Sequence, residues 1–186
     1  MSNFELIKER NDPNQPTFTL RNRLRRGAWK LTWLLIARWT PPPLHMWRVF
    51  VLRMFGARVA KSAHVYSSVD VWAPWNLEID SYGSLAPNVN CYNIARVSIG
   101  RKAVVSQGAH LCTGTHDYRD PAFPLTARPI TVEAMAWVCA GAFVGPGVTI
   151  GEGAVLGATA TAFSNLEPWT VYVGNPATRH ADRPRI

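Results

Sequence analysis

Cysteine, acidic residues and long apolar runs are all scarce in this chain of 186 residues. The three cysteines, Cys91, Cys112 and Cys139, are odd in number and form no C-x-x-C pair, so they read as small buried residues of a reducing compartment; none is taken as a nucleophile. A bilayer-spanning helix needs roughly twenty mainly apolar residues, and three prolines and several cations interrupt the apolar region near the N-terminus before that length is reached. Residues 1–14 are polar and charged, with no apolar run followed by a small-residue cleavage site, which argues against a signal peptide and makes a cytoplasmic chain the expectation. Acid is scarcest where base is commonest. Residues 1–61 hold twelve Lys and Arg against three Asp and Glu, a balance of +9, whereas residues 62–186 hold eight against nine, a balance of −1, and the two sum to the net +8. The chain has neither a recognised nucleic-acid module nor a Lys/Arg tract longer than a few residues, so no nucleic-acid partner is expected.

What is abundant is a period. Val132, Val138, Val144, Ile150, Leu156 and Ala162 recur every six residues, and small Ala136, Ala142, Val148, Ala154 and Ala160 follow four positions behind. A helix repeats its apolar face at three and four residues and a half-buried strand at two, so a six-residue period requires flat sides joined by sharp corners. Gly145, Gly151 and Gly157 sit beside the aliphatics, with Gly141, Gly147 and Gly153 between them, where a tight corner needs a residue that tolerates positive φ. The same pattern appears upstream as Val59, Val65 and Val71, then Ile79, Leu85 and Cys91, then Ile99, Val105 and Leu111. One six-residue unit cannot cover its own apolar face, so stacked coils must supply the core. The chain therefore divides into a basic, Trp-rich extension over 1–58, an all-β solenoid over 59–177 and a short tail over 178–186.

In the extension, Trp29, Leu31, Trp33, Leu34, Leu35, Ile36 and Trp39 are followed by Pro41-Pro42-Pro43 and a second apolar stretch from Leu44 to Phe55, which predicts two short helices. Trp, Leu and Arg mixed in this way over residues 21–55 suit contact with an anionic membrane surface. They suit equally a cap on the solenoid's end or packing between subunits, and both roles are compatible. The period itself breaks once, at residues 113–129, before strand-like residues resume at Ile130. A loop of this length on a rigid scaffold generally serves a site, and His116 stands at its root.

These repeats resemble the hexapeptide-repeat acyltransferases, whose fold is a left-handed parallel β-helix with three six-residue sides per coil, usually assembled as a homotrimer. The hand is implied by the resemblance, since parallel crossovers are otherwise right-handed. Thr115-His116-Asp117 is similar to the segment that carries the catalytic base in enzymes of the galactoside and maltose type, which implies His116 as general base and places Asp117 beside the acceptor. Asn88-Val89-Asn90 resembles their N-x-N, implying that Asn90 orients the acceptor. For the donor, acetyl-CoA, the resemblance implies Trp137 and Ala140 in Ala136-Trp137-Val138-Cys139-Ala140, then Ala158. The closing segment from Trp169 to Ala177, ending G-N-P-A, is followed in the family by a basic residue that meets the CoA phosphates; here Thr178 takes that place, and the resemblance implies that Arg179, which follows it, replaces that contact. A second departure is Phe163-Ser164-Asn165, where the family commonly has T-K-D, so a lysine expected near the nucleotide phosphates is missing.

The Trp-rich extension, Val71-Trp72-Ala73-Pro74-Trp75-Asn76-Leu77 and residues 111–118 look most like colanic acid biosynthesis acetyltransferases. That likeness implies a sugar hydroxyl on a polysaccharide precursor as acceptor, O-acetylated at the cytoplasmic side of the membrane. A base near neutral pKa is what such an acceptor needs, because a hydroxyl attacks a thioester poorly until its proton is taken. The related γ-type carbonic anhydrases need three zinc-binding histidines, two of them five residues apart, whereas His110 and His116 are six apart and His64 lies far upstream, so no metal is expected. The alternative to an enzyme is a non-catalytic scaffold that binds partners on its flat sides, with His116 merely structural.

Overall fold

In the computed structural model, residues 5–6, for backbone only, and 17–185 are described. The polar stretch 1–14 otherwise lies outside the described residues.

Residues 58 to 173 wind into a parallel β-solenoid with three faces. One face stacks Arg58–Val59, Leu77–Ile79, Val97–Ile99, Ile130–Val132 and Thr149–Ile150, closed by a bridge from Ile150 to Leu166. The second stacks His64–Val65, Ser84–Leu85, Val104–Val105, Trp137–Val138, Val155–Leu156 and Thr170–Val173. The third stacks Asp70–Val71, Asn90–Tyr92, His110–Cys112, Phe143–Val144 and Thr161–Ala162. The registers join the six-residue positions across coils: Val59 with Ile79, Ile99, Val132 and Ile150, and Val71 with Cys91, Leu111, Val144 and Ala162. All of these point inward and are buried, with Ala136, Ala142, Val148, Ala154 and Ala160 filling the corners of one continuous core. Burial at this density is what stabilises coils that have too few residues to fold singly.

The early coils advance by twenty residues, Val59 to Ile79 to Ile99, and a later one by eighteen, Val132 to Ile150. The extra residues sit at the corner after the third face, where buried Asn93 braces two coils. Its Oδ1 accepts from Ala73 N–H at 2.9 Å and its Nδ2 donates to Ala73 C=O at 2.7 Å. One coil on, Thr113 takes the corresponding position and its Oγ1 donates to Tyr92 C=O at 2.8 Å.

The extension forms α1, Leu20–Ile36, and α2, His45–Met54, as two short helices. Thr19 caps α1 by accepting from Asn22 N–H, and Pro41-Pro42-Pro43 separates the helices. Along the third face, α1 is fastened by Trp29 and Trp33, whose indole N–H groups donate to Val71 C=O at 2.7 Å and Ser67 C=O at 3.1 Å. Val49, Val51 and Leu52 of α2 join the core over the first coil, so α2 closes the solenoid's open end. Arg48 is fully buried there and satisfies its guanidinium on Val65, Pro41 and Pro42 carbonyls and Thr40 Oγ1.

At the other end, Thr178–Asp182 turns back antiparallel on Thr170–Val173, giving most of the segment expected as a tail a regular strand. No described helix is long and apolar enough to cross a membrane.

Candidate active site

The interruption at residues 113–129 is a β-hairpin rather than an irregular loop. Gly114–His116 pairs antiparallel with Leu125–Ala127, whose free edge pairs with Glu5–Leu6. Leu125 and Ala127 are buried against Ile94, which anchors the hairpin's base on the corner between the third and first faces. Gly114 allows this approach, since a Cβ there would lie 2.8 Å from Ile94 Cδ1.

His116 ends the outgoing strand and is exposed. Its ring stacks on Phe123, centroids 4.4 Å apart and planes 7° from parallel, and its Nδ1 lies 2.9 Å from the Phe123 carbonyl oxygen. A carbonyl only accepts, so Nδ1 carries the proton in the neutral ring and Nε2 keeps its lone pair. Asp117 shapes the turn beyond it: its N–H donates to Pro124 C=O and its carboxylate accepts from Arg119 N–H, each at 3.0 Å.

Asn90 lies elsewhere on the third face, in register with Asp70 and His110. It lines a groove between the solenoid and α1 with Asp70, Asn88, Lys30 and Arg38. His110, next in that column, packs edge-on against Phe143, and burial lowers its pKa and leaves Nε2 without a hydrogen-bond partner among the described residues. The cysteines are inert at neutral pH: burial raises the pKa of Cys91, Cys112 and Cys139, holding each as a thiol.

Trp137 stands on the outer side of the second face, half exposed, with its indole N–H on Ser106 Oγ at 2.8 Å. It lines a groove of about 260 Å³ with Lys102, Met135, Trp169 and Arg183. Arg183 is held by two bonds of 2.9 Å to the Met135 and Gly153 carbonyls. Ala140 and Ala158 stack at the next corner of consecutive coils, where Thr159 N–H donates to Ala140 C=O at 2.9 Å. Thr159 there has φ of 58°, an uncommon left-handed conformation for a β-branched residue. The structure thus brings Ala140 and Ala158 together, sets Trp137 on the adjoining face, and holds His116 and Asn90 on other parts of the chain.

Among proteins similar in sequence, a candidate colanic acid biosynthesis acetyltransferase of Escherichia coli, WcaF, is 38% identical over 156 residues, covering 84% of this chain and 86% of that protein. The chain belongs to this acetyltransferase family. A candidate acetyltransferase of Schizosaccharomyces pombe is 37% identical over 95 residues, 48% of this chain and 46% of that one. A maltose O-acetyltransferase from Clostridium difficile superposes with a TM-score of 0.79 at 20% identity over 90% of both chains. A hexapeptide-repeat acetyltransferase from Vibrio cholerae, solved also with acetyl-CoA, gives 0.79 at 22% identity over 90% of this chain and 95% of that one. These likenesses establish the fold as the left-handed parallel β-helix of hexapeptide-repeat acetyltransferases. No protein-family model matches the chain.

Within this family frame, the two departures have structural counterparts. Ser164 is exposed at a turn where Asn165 Oδ1 accepts from Thr149 N–H at 2.8 Å, so the segment keeps its turn and lacks the cation. Arg179, expected to replace a basic residue at Thr178, is exposed and paired with Asp182. Lys102 and Arg183 are cations that the sequence analysis missed; they share a groove with Trp137 only because coils 30 to 50 residues apart stack together. Among the described residues no group of three His, Cys, Asp or Glu is arranged to hold a metal ion.

Proposed function

We propose that the protein is an acetyl-CoA-dependent O-acetyltransferase that modifies a sugar hydroxyl in exopolysaccharide or cell-surface polysaccharide assembly, with His116 as general base. The observation that carries this reading is the His116 tautomer, with Nδ1 committed to the Phe123 carbonyl and Nε2 left to accept a proton. The donor supplies an activated acetyl group as a thioester. The chain's residues fit it: Trp137 offers an exposed aromatic face, Ala140 and Ala158 leave a flat corner, and Lys102 and Arg183 bring positive charge beside Trp137. His116 Nε2 takes the acceptor hydroxyl's proton as the oxygen attacks the thioester carbonyl; the tetrahedral intermediate then collapses with cleavage of the C–S bond, the proton passes from His116 to the departing CoA sulfur, and no covalent acyl-enzyme is required. Asn90, among other polar side chains in its groove, orients the acceptor, and Asp117 keeps the turn beside His116 in shape.

Trp137 on the second face and His116 on the hairpin beyond the third lie on different sides of one prism. A site that uses both is completed by a second copy, which supports a homotrimer. The relative named for colanic acid biosynthesis supports the polysaccharide context, and the expected compartment is the cytoplasm.

Calorimetric titration with acetyl-CoA beside CoA, followed by turnover of His116→Ala on sugar acceptors, tests the reading. Saturable donor binding with turnover reduced about 10²- to 10⁴-fold and donor affinity unchanged is expected. Absence of donor binding at millimolar concentration, on the order of the weakest affinities commonly measured, would favour the scaffold alternative.

A further inference from the structure

The two N-terminal helices are apolar on two sides, and the solenoid uses only one. On α1, Trp29, Trp33 and Ala37 point into the fold and are buried. At the helical period of about 100° per residue, Leu20, Leu24, Leu31 and Leu35 fall on the opposite side, and they are between 58% and 67% exposed. On α2, Val49 and Leu52 are buried while Met46, Phe50 and Met54, four residues apart, are between 53% and 70% exposed. Trp39, in the link between the helices, is 79% exposed. The two helices thus expose far more large apolar groups than scattered surface residues provide, and apolar patches of this kind mark interaction sites.

Charge identifies the occupant. Residues 13–69 contain ten Lys and Arg and no Asp or Glu. Some cations are engaged by the solenoid's own side chains, with Lys30 on Asp70 and Arg25 and Arg26 over Trp75 and Trp72, but Arg21, Arg23 and Arg38 are exposed along the borders of the leucine stripe. Two copies of this segment placed face to face would oppose cation to cation with no acid to answer them, whereas lipid phosphates complement the frame. α1, at 17 residues, is not long and apolar enough to cross a membrane, and a helix with one apolar and one basic side meets a bilayer by lying in the interface plane.

We propose that the outer face of α1 and α2 docks on an anionic lipid bilayer, with the leucines and Trp39 in the headgroup–acyl boundary and the bordering arginines on lipid phosphates. The inner faces pack on the solenoid, α1 along its third face and α2 over its end, so the outer side chains are free for this role without cost to the fold. The proposal is independent of the acetyl-transfer reading.

Flotation of the full chain with phosphatidylcholine vesicles, with and without phosphatidylglycerol, tests it. Co-flotation with the phosphatidylglycerol vesicles, loss of most binding in high salt and little binding to phosphatidylcholine alone are expected. The variant Leu31→Ser/Leu35→Ser should lower partitioning about tenfold or more, and Arg21→Ser/Arg23→Ser by about tenfold or more, with circular dichroism and melting retained. Failure to float with anionic vesicles, or leucine variants that float like the wild type, would overturn the proposal. So would a leucine variant whose oligomer dissociates in light scattering, since that outcome assigns the face to a second copy.

Discussion

The imidazole of His116 lies flat on the ring of Phe123 while its Nδ1 donates to the Phe123 backbone carbonyl at 2.9 Å, so one residue fixes both the plane and the tautomer of the candidate base. The two contacts are separable, because one comes from a side chain and the other from the main chain.

Phe123 adopts a φ of 45°, which glycine tolerates better than phenylalanine. Phe123→Gly therefore removes the stacking ring and keeps the carbonyl. We expect kcat to fall about tenfold, since loss of a ring support loosens orientation without changing the tautomer. KM should stay constant. Wild-type kcat in this variant would show that the stack has no part in positioning His116.

Arg48 is the one fully buried cation among the described residues, and it bonds acceptors from two segments: Thr40 Oγ1 with the Pro41 and Pro42 carbonyls on the approach to α2, and the Val65 carbonyl of the first coil. Arg48→Met leaves those acceptors unpaired in the cap and should cost about 3 kcal/mol or more in urea denaturation. Arg48→Lys should recover only part of it, because a single ammonium cannot span the same acceptors as a guanidinium fork. A loss below about 1 kcal/mol for Arg48→Met would mean the cap is held by Val49, Val51 and Leu52 alone.

Burial, the largest influence on both, lowers the pKa of His45 and His110 in the folded chain. The unfolded chain then takes up protons first, at the ordinary histidine value of about 6.5, and holds more of them than the native state below that pH. Stability is accordingly full above about pH 6.5 and declines as the pH falls through and below it. Urea midpoints on either side of this value should differ more for the wild type than for His110→Gln. Identical pH dependence in the two proteins would show that His110 does not contribute.

Much of the fold was legible in the chain because a solenoid writes its tertiary packing into local spacing. Each inward position needs an aliphatic side chain, so the register Val65, Leu85, Val105, Val138, Leu156 could be read from the sequence before any pairing was known. The corner glycines were legible in part. Gly141, Gly147 and Gly153 do have positive φ, but Gly151 serves close approach instead, since a Cβ there would lie 2.7 Å from Leu166 O. Non-glycine residues such as Tyr82, Lys102, Met135 and Thr159 share the left-handed corner conformation.

By itself, then, the sequence determined the stacking period, the inward residues, the two short helices, the basic extension and His116 as the residue of interest in the one interruption. These are properties of spacing and side-chain chemistry within a few residues. Tertiary structure decided what the interruption becomes, a hairpin held by Gly114 against Ile94 and by Leu125 and Ala127 in its own cluster, because antiparallel pairing leaves no six-residue trace and the anchoring contact with Ile94 comes from another coil. It also decided that Arg48 is an interior cation rather than a surface one, and that Lys102 and Arg183 meet at Trp137. Contacts between coils depend on which residues stack across 16 or more positions, and only the folded chain brings those positions together.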